Sequence, residues 1–280
     1  MALSTAIPSR LLNDGHSIPA IGLGTYGLRR DAGIASLLSA LDSGYRLLDT
    51  ALNYTNEREV GEAVRSTSVP REEIVVTTKL PGRHHGFDET LASFEESRAN
   101  LGLDYVDLYL IHWPLPRLNK YVDSWRAMIQ LRDAGLVRSI GVSNFTEEHI
   151  VHLLAETGVP PAVNQIELHP RFPQRTMREF DTAHGIVTES WSPLGDRGEL
   201  TRNPTVAAVA ESHGVTPTQA VLRWHIQLGA VPIPKSANAD RQRENLDVFG
   251  FELTDAELDA ITSLESDRLW GADPDTHEEF

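Results

Sequence analysis

The sequence predicts an α/β fold, a single (β/α)₈ barrel spanning residues 1–280, and three observations carry that reading. Short apolar runs alternate with amphipathic stretches along the whole chain, the pattern of parallel strands joined by crossover helices. Eight such runs occur, which fits a closed barrel better than an open sheet. Asp49, Lys79 and His112 end three of the runs, and a barrel of this kind carries its chemistry at the C-terminal ends of its strands.

The elements follow in order. Asn13-Asp14-Gly15 predicts a hairpin turn ahead of the barrel. Strands are expected over 20–24, 45–49, 74–79, 106–112, 139–143, 162–169, 186–191 and 231–235. Between them, Leu91, Phe94 and Leu101 recur at helical spacing, as do Val206, Val209 and Ala210, and then Val221, Trp224 and Leu228. Thr216-Pro217 reads as an N-cap with proline at the first helical position, and Thr254 with Glu257 as a capping box. No linker, low-complexity tract or charge block divides the chain.

Composition narrows the function. The balance of 25 basic against 40 acidic residues gives a net charge of −15, which argues against a nucleic acid or an anionic membrane as partner. There is no cysteine, so disulfides, thiolate metal sites and a cysteine nucleophile are excluded. Met1 to Pro8 lacks the basic start and apolar stretch of a signal peptide, and no apolar run approaches the ~18 residues of a membrane span. The expectation is a cytoplasmic monomer acting on a small molecule.

Lysine is scarce, and where it is kept is informative. Only three of the 25 cationic side chains are lysines; Lys79 closes the strand candidate 74–79 that opens on Ile74-Val75-Val76, and Lys235 directly follows Val231-Pro232-Ile233-Pro234. A compact, titratable ammonium differs chemically from an always-charged guanidinium, so Lys79 is a candidate for chemistry. Tyr54 stands five residues beyond Asp49. The adjacent His84 and His85 have no further ligands at metal spacing, and no metal site is expected.

The segment from Gly22 to Gly27 matches G-x-G-x-x-G, with Asp49 at 22 residues beyond it, near the distance of a ribose ligand in a dinucleotide fold. Two features oppose that reading. The next helix starts near Asp31, too late for the third glycine to pack inside it, and a ribose-bound Asp49 would leave Tyr54, Lys79 and His112 without an organising acid. The glycines read better as a turn at the barrel rim.

Five motifs then stand in order: Leu48-Asp49-Thr50-Ala51 with Asn53-Tyr54, the strand closing on Lys79, Ile111-His112-Trp113-Pro114, Gly141-Val142-Ser143-Asn144-Phe145, and Ile233-Pro234-Lys235-Ser236 with Arg241, Glu244 and Asn245. From Ile18 to about Leu264 the chain resembles the aldo/keto reductases, in particular the bacterial branch typified by 2,5-diketo-D-gluconate reductase. The resemblance implies NADPH-dependent reduction of aldehydes and ketones by a tetrad of Asp49, Tyr54, Lys79 and His112. Tyr54 would protonate the carbonyl oxygen and His112 would orient it. A free phenol has a pKa near ~10, and a cation within a few ångströms lowers it by about 1–3 units. Lys79 would be that cation, kept charged by Asp49.

The resemblance also implies the cofactor residues. Gly24, Thr25 and Tyr26 would form the rim, and Ser143, Asn144 and Gln165 would hold the nicotinamide carboxamide. Trp191 would stack on its ring, and Ser192, Leu194 and Gly195 would approach the pyrophosphate. Lys235, Ser236, Asn238 and Arg241 would receive the adenosine 2'-phosphate, with Glu244 and Asn245 near the adenine. Tyr26, Trp113 and Trp270 are expected as substrate walls, with the C-terminal tail closing one side. The short segment from Pro114 to Asn119 implies a shallow pocket for small aldehydes, α-dicarbonyls or keto sugars. The competing readings are a metal-dependent hydrolase and a non-catalytic NADPH-binding sensor.

Overall fold

The computed structural model describes residues 7–195 and 198–279. Strands β1 (Ser9–Leu11) and β2 (Ser17–Pro19) form the expected antiparallel hairpin, with Gly15 at φ +91° in its turn. Eight parallel strands follow: β3 (Leu23–Gly24), β4 (Leu47–Asp49), β5 (Val75–Leu80), β6 (Val106–Ile111), β7 (Val137–Ser143), β8 (Val163–Glu167), β9 (Val187–Trp191) and β10 (Val231–Pro232). Each pairs with its neighbour in chain order.

Closure rests on the backbone chemistry of the last strand. Residues 231 and 233 face β9, and Ile233 N donates to Ser190 O at 3.1 Å. Pro232 and Pro234 face the other way and have no N–H to give. Their carbonyls accept from Gly22 N at 3.0 Å and Gly24 N at 3.2 Å, joining β10 to β3 and closing the barrel. The prolines also explain why the first and last strands are shorter than the sequence predicts, since half of the ladder is missing there.

Side-chain parity sorts the strand residues. Leu48, Val76, Tyr109, Ile111, Ile140, Val142 and Ile166 point outward into the large core shared with the helices. Leu47, Leu108, Leu110, Val163 and Val231 point inward, where Leu12 and Ile18 of the hairpin plug the bottom. The same alternation, two or four residues further along, turns Asp49, Lys79, His112, Gln165, Glu189 and Trp191 toward the barrel axis at its upper end. The interior is therefore apolar below and ionisable above.

The surrounding helices end where their sequences say they should. Helix α1 (Arg30–Ser43) stops at Gly44, α2 (Glu57–Ser66) at Thr67, and α3 (Phe87–Leu101) at Gly102, both glycines being left-handed. After α4 (Tyr121–Asp133), α5 (Glu147–Thr157) and α6 (Arg175–Ala183) come α7 (Pro204–His213), α8 (Pro217–Gln227), α9 (Ala239–Leu246) and α10 (Asp255–Thr262). The expected N-cap at Thr216 and capping box at Thr254 are present, Thr216 also forming a box with Gln219, and Thr146 with His149 forms another on α5.

Helices α2 and α3 meet at Gly61, where any Cβ would collide with the Leu101 carbonyl. Alanine favours a helix over glycine by about 1 kcal/mol, whereas overpacking costs about 1–3 kcal/mol. Gly61→Ala is expected to lower stability by about 1–2 kcal/mol, read as a lower urea midpoint. An unchanged or higher midpoint would show that the helices separate freely.

Candidate active site

Lys79 lies near the end of β5 with no solvent exposure. Its ammonium donates to Asp49 Oδ1 at 2.6 Å and to Thr50 O at 3.0 Å, and reaches the Tyr54 hydroxyl at 3.4 Å. Burial works against the charged amine, but Asp49 first and then Tyr54 outweigh it, and the net displacement is upward. Lys79 is therefore an ammonium at neutral pH.

Tyr54 sits on a single 3₁₀ turn after β4 (Leu52–Tyr54) and lines the cavity. Burial raises its pKa, and Lys79 pulls it back down only in part. The sequence-based expectation of a phenol more acidic than a free one is thus corrected: in the protein without cofactor the net displacement is upward. The hydroxyl keeps its proton at neutral pH and remains a donor, with the ammonium ready for the phenolate that proton loss would leave.

A second carboxyl stands beside the pair. Gln165 Nε2 donates to Asp49 Oδ2 at 2.9 Å and to Glu189 Oε2 at 3.0 Å. Glu189 is fully buried, and burial, followed by repulsion from Asp49, raises its pKa to about 8. It is mostly neutral at pH 7, so one ammonium faces one carboxylate. Sequence reasoning passed over Glu189, although its inward parity between Val187 and Trp191 was legible.

Around the rim runs a chain of amides and hydroxyls. Trp191 Nε1 donates to Asn144 Oδ1 at 2.7 Å, and Asn144 Nδ2 donates to His112 O and Ser143 Oγ, both at 3.0 Å. Ser143 Oγ donates to Gln165 O at 2.8 Å. These residues line one cavity of about 460 Å³ with Gly24, Thr25, Tyr26, Asp49, Tyr54, His112 and Trp113. Its far side is the turn Ser192–Gly195, where Ser192 and Gly195 are left-handed at φ +49° and +65°, and beyond that Lys235.

The phosphate-pocket candidates lie just outside. Asn238 caps α9 by accepting from Arg241 N at 3.0 Å, and Ser236 Oγ accepts from Asn238 N at 3.1 Å. Lys235 and Arg241 are exposed and form no ion pair among the described residues. Glu244 accepts from Thr216 Oγ1 at 2.6 Å, and Asn245 is buried beside the Tyr45 hydroxyl. A flat indole, carboxamide partners and two exposed cations suit a nicotinamide dinucleotide phosphate.

Of the expected substrate walls, Tyr26 packs edge-on to Tyr54 at 5.2 Å and Trp113 lines the cavity. Trp270 is a correction: it is 51% exposed and does not line the cavity. The tail turns at Gly271 (φ +64°) and brings His277 onto Trp113 and Glu279 onto His112 instead. His84 bonds Ser93 and His85 is buried, and among the described residues no His, Asp and Glu group could hold a metal.

A closed parallel barrel with an ammonium, a phenol and an imidazole around one rim cavity defines a barrel enzyme. The chain belongs to the aldo/keto reductase family, whose pattern matches residues 20–266. It is 60% identical over 274 residues to 2,5-diketo-D-gluconic acid reductase B of Corynebacterium sp. (strain SHS752001), covering 98% of this chain and 99% of that protein. Among solved structures, an aldo/keto reductase from Brucella melitensis superposes with a TM-score of 0.89 at 45% identity, covering 92% of this chain and all of that one. A Gox0644 mutant in complex with NADPH superposes with a TM-score of 0.92 at 44% identity, covering 98% and 99%.

Glu189 has a consequence for stability. Its carboxyl titrates near 4.5 when unfolded and near 8 when folded, so its contribution is fully present below about pH 4.5 and is lost as pH rises through about 8. Glu189→Gln is expected to gain melting temperature relative to the native protein as pH goes from about 6 to about 9. Parallel melting curves across that range would contradict the assignment.

Proposed function

We propose that the protein reduces aldehydes and ketones to alcohols with NADPH, using Tyr54 as the general acid. The observation that carries the reading is the Lys79 ammonium, bound to Asp49 and 3.4 Å from the Tyr54 hydroxyl, at the cavity that His112 also lines. When bound, NADPH supplies the hydride. Tyr54 delivers its proton to the carbonyl oxygen, and the resulting phenolate is stabilised by Lys79. His112 orients that oxygen by a hydrogen bond. Ser143, Asn144 and Gln165 hold the carboxamide, and Trp191 offers its face to the ring. Lys235, Ser236, Asn238 and Arg241 take the 2'-phosphate.

Small aldehydes, α-dicarbonyls and keto sugars such as 2,5-diketo-D-gluconate are the proposed substrates. The name of the 60% identical relative supports the keto sugar. Residues 114–119 form only a short connection before α4, which leaves the cavity mouth open, with Tyr26 and Trp113 as its walls. A monomer in the cytoplasm completes the proposal, and the charge of −15 supports a small molecule over nucleic acid.

Tyr54→Phe is expected to lower kcat/KM for a generic aldehyde by about 100- to 10 000-fold while NADPH still binds, measured by NADPH absorbance and by titration. Equal rates in both proteins would remove Tyr54 from its role, and native protein that binds NADPH yet reduces no carbonyl would favour the sensor. Charge-assisted hydrogen bonds contribute about 1.5–3 kcal/mol, so Arg241→Ala should weaken NADPH roughly ten- to hundredfold and NADH little. Equal loss for both cofactors would place Arg241 outside the phosphate pocket.

A further inference from the structure

The C-terminal tail grips His112. Glu279 Oε1 lies 2.6 Å from His112 Nδ1 and also accepts from Asn53 Nδ2 at 2.6 Å, while Oε2 accepts from Gly82 N at 3.1 Å. The loops after β4, β5 and β6 thus converge on one carboxylate. Its side chain is only 12% exposed, and it does not line the cavity that His112 lines. Glu279 therefore approaches the imidazole from behind.

The loop after β5 is shaped around this contact. A Cβ on Gly82 would collide with the Glu279 carbonyl and with Leu115 Cδ1. Burial pushes the Glu279 carboxyl up, but His112, then Asn53 and the Gly82 N–H, outweigh burial and hold it below the usual carboxylate range. The group is an anion at neutral pH.

We propose that Glu279 is a positioning residue of the active site: its carboxylate holds a proton on His112 Nδ1 and fixes the ring so that Nε2 meets the substrate oxygen. Bare lone pairs on nitrogen and oxygen would repel at 2.6 Å, so a proton belongs to this contact. The pair does not meet hydrogen-bond geometry, which makes it chiefly a charge contact, and among the described residues no other acceptor reaches Nδ1. With Nδ1 turned to Glu279, Nε2 is the nitrogen left to face the cavity, and Glu279 places a fixed negative charge behind the ring.

Other groups around the pair are accounted for. The Tyr54 ring lies edge-on to His112 at 5.9 Å with Lys79 beyond it, and Arg83 bonds Asn53. Burial holds His85, with a pKa of about 4, neutral. Arg117 pairs with Glu278, and His277 packs on Trp113. None of these supplies a second anion to Nδ1.

The catalytic consequence rests on the reductase reading, so the test has a readout that does not. Nitrogen NMR of ¹⁵N-histidine-labelled protein without cofactor, with His112→Gln for assignment, reports which ring nitrogens carry protons. In Glu279→Gln, which keeps an acceptor for Asn53 and Gly82, the His112 signals should shift away from Nδ1 protonation. kcat/KM for a generic aldehyde should fall about tenfold, mostly in kcat, with NADPH affinity and melting temperature unchanged. Gly82→Ala, which displaces the tail from the other side, should show the same kinetic loss. Identical His112 signals in native protein and Glu279→Gln overturn the proposal, and so does unchanged kcat/KM in both variants. Should the native protein reduce no carbonyl, the reductase reading falls, and the nitrogen signals alone decide the place of Glu279.

Discussion

A single positive charge sealed inside a barrel sets the terms for the rest of the site. Lys79 has no contact with water, and a buried ion without its partner destabilises a fold by about 3–5 kcal/mol. The partner must come from a neighbouring strand at the same height, and the pairing of β4 with β5 supplies Asp49 there. A second full negative charge would overcompensate, and Glu189 avoids it by staying protonated while Gln165 spans the two carboxyls. The same ammonium faces the Tyr54 hydroxyl at 3.4 Å, so the arrangement that makes the buried charge tolerable also sets the electrostatics at that phenol.

Much of this was legible in the residues. Strand ends at Asp49, Lys79 and His112 follow from short apolar runs, and period-2 parity puts them on one side of the wall. Thr216-Pro217 and the capping box at Thr254 marked two helix starts. What was not legible depends on contacts between distant segments. The truncation of β3 and β10 comes from which way two prolines face, a property of the closed barrel. The raised pKa of Tyr54 comes from desolvation of its hydroxyl by segments distant in sequence, and spacing carries no such information. Trp270 was placed near the site by proximity in sequence to the tail, whereas one left-handed turn at Gly271 sends His277 and Glu279 there in its stead. No periodicity marks Glu279, because its three partners come from three different loops.

The rim chain from Trp191 through Asn144 and Ser143 to Gln165 links the indole side of the cavity to the buried ion pair. Asn144 can turn back on itself at φ +62° at little steric cost, which lets one amide serve Trp191, His112 and Ser143 together. The indole is thereby fixed in orientation by the strand that also fixes His112. Position and electrostatics at the rim are consequently not separable properties of individual residues.

The junction of β10 with β3 has a mechanical side. Elsewhere around the wall both strands of a pair contribute donors, but here Pro232 and Pro234 offer only carbonyls, and Gly22 and Gly24 alone supply the N–H groups. A cylinder stitched on one side only has a preferred line of parting. That line runs between Gly24 and Lys235, both of which line the cavity, so the seam with donors on one side only is also a wall of the site.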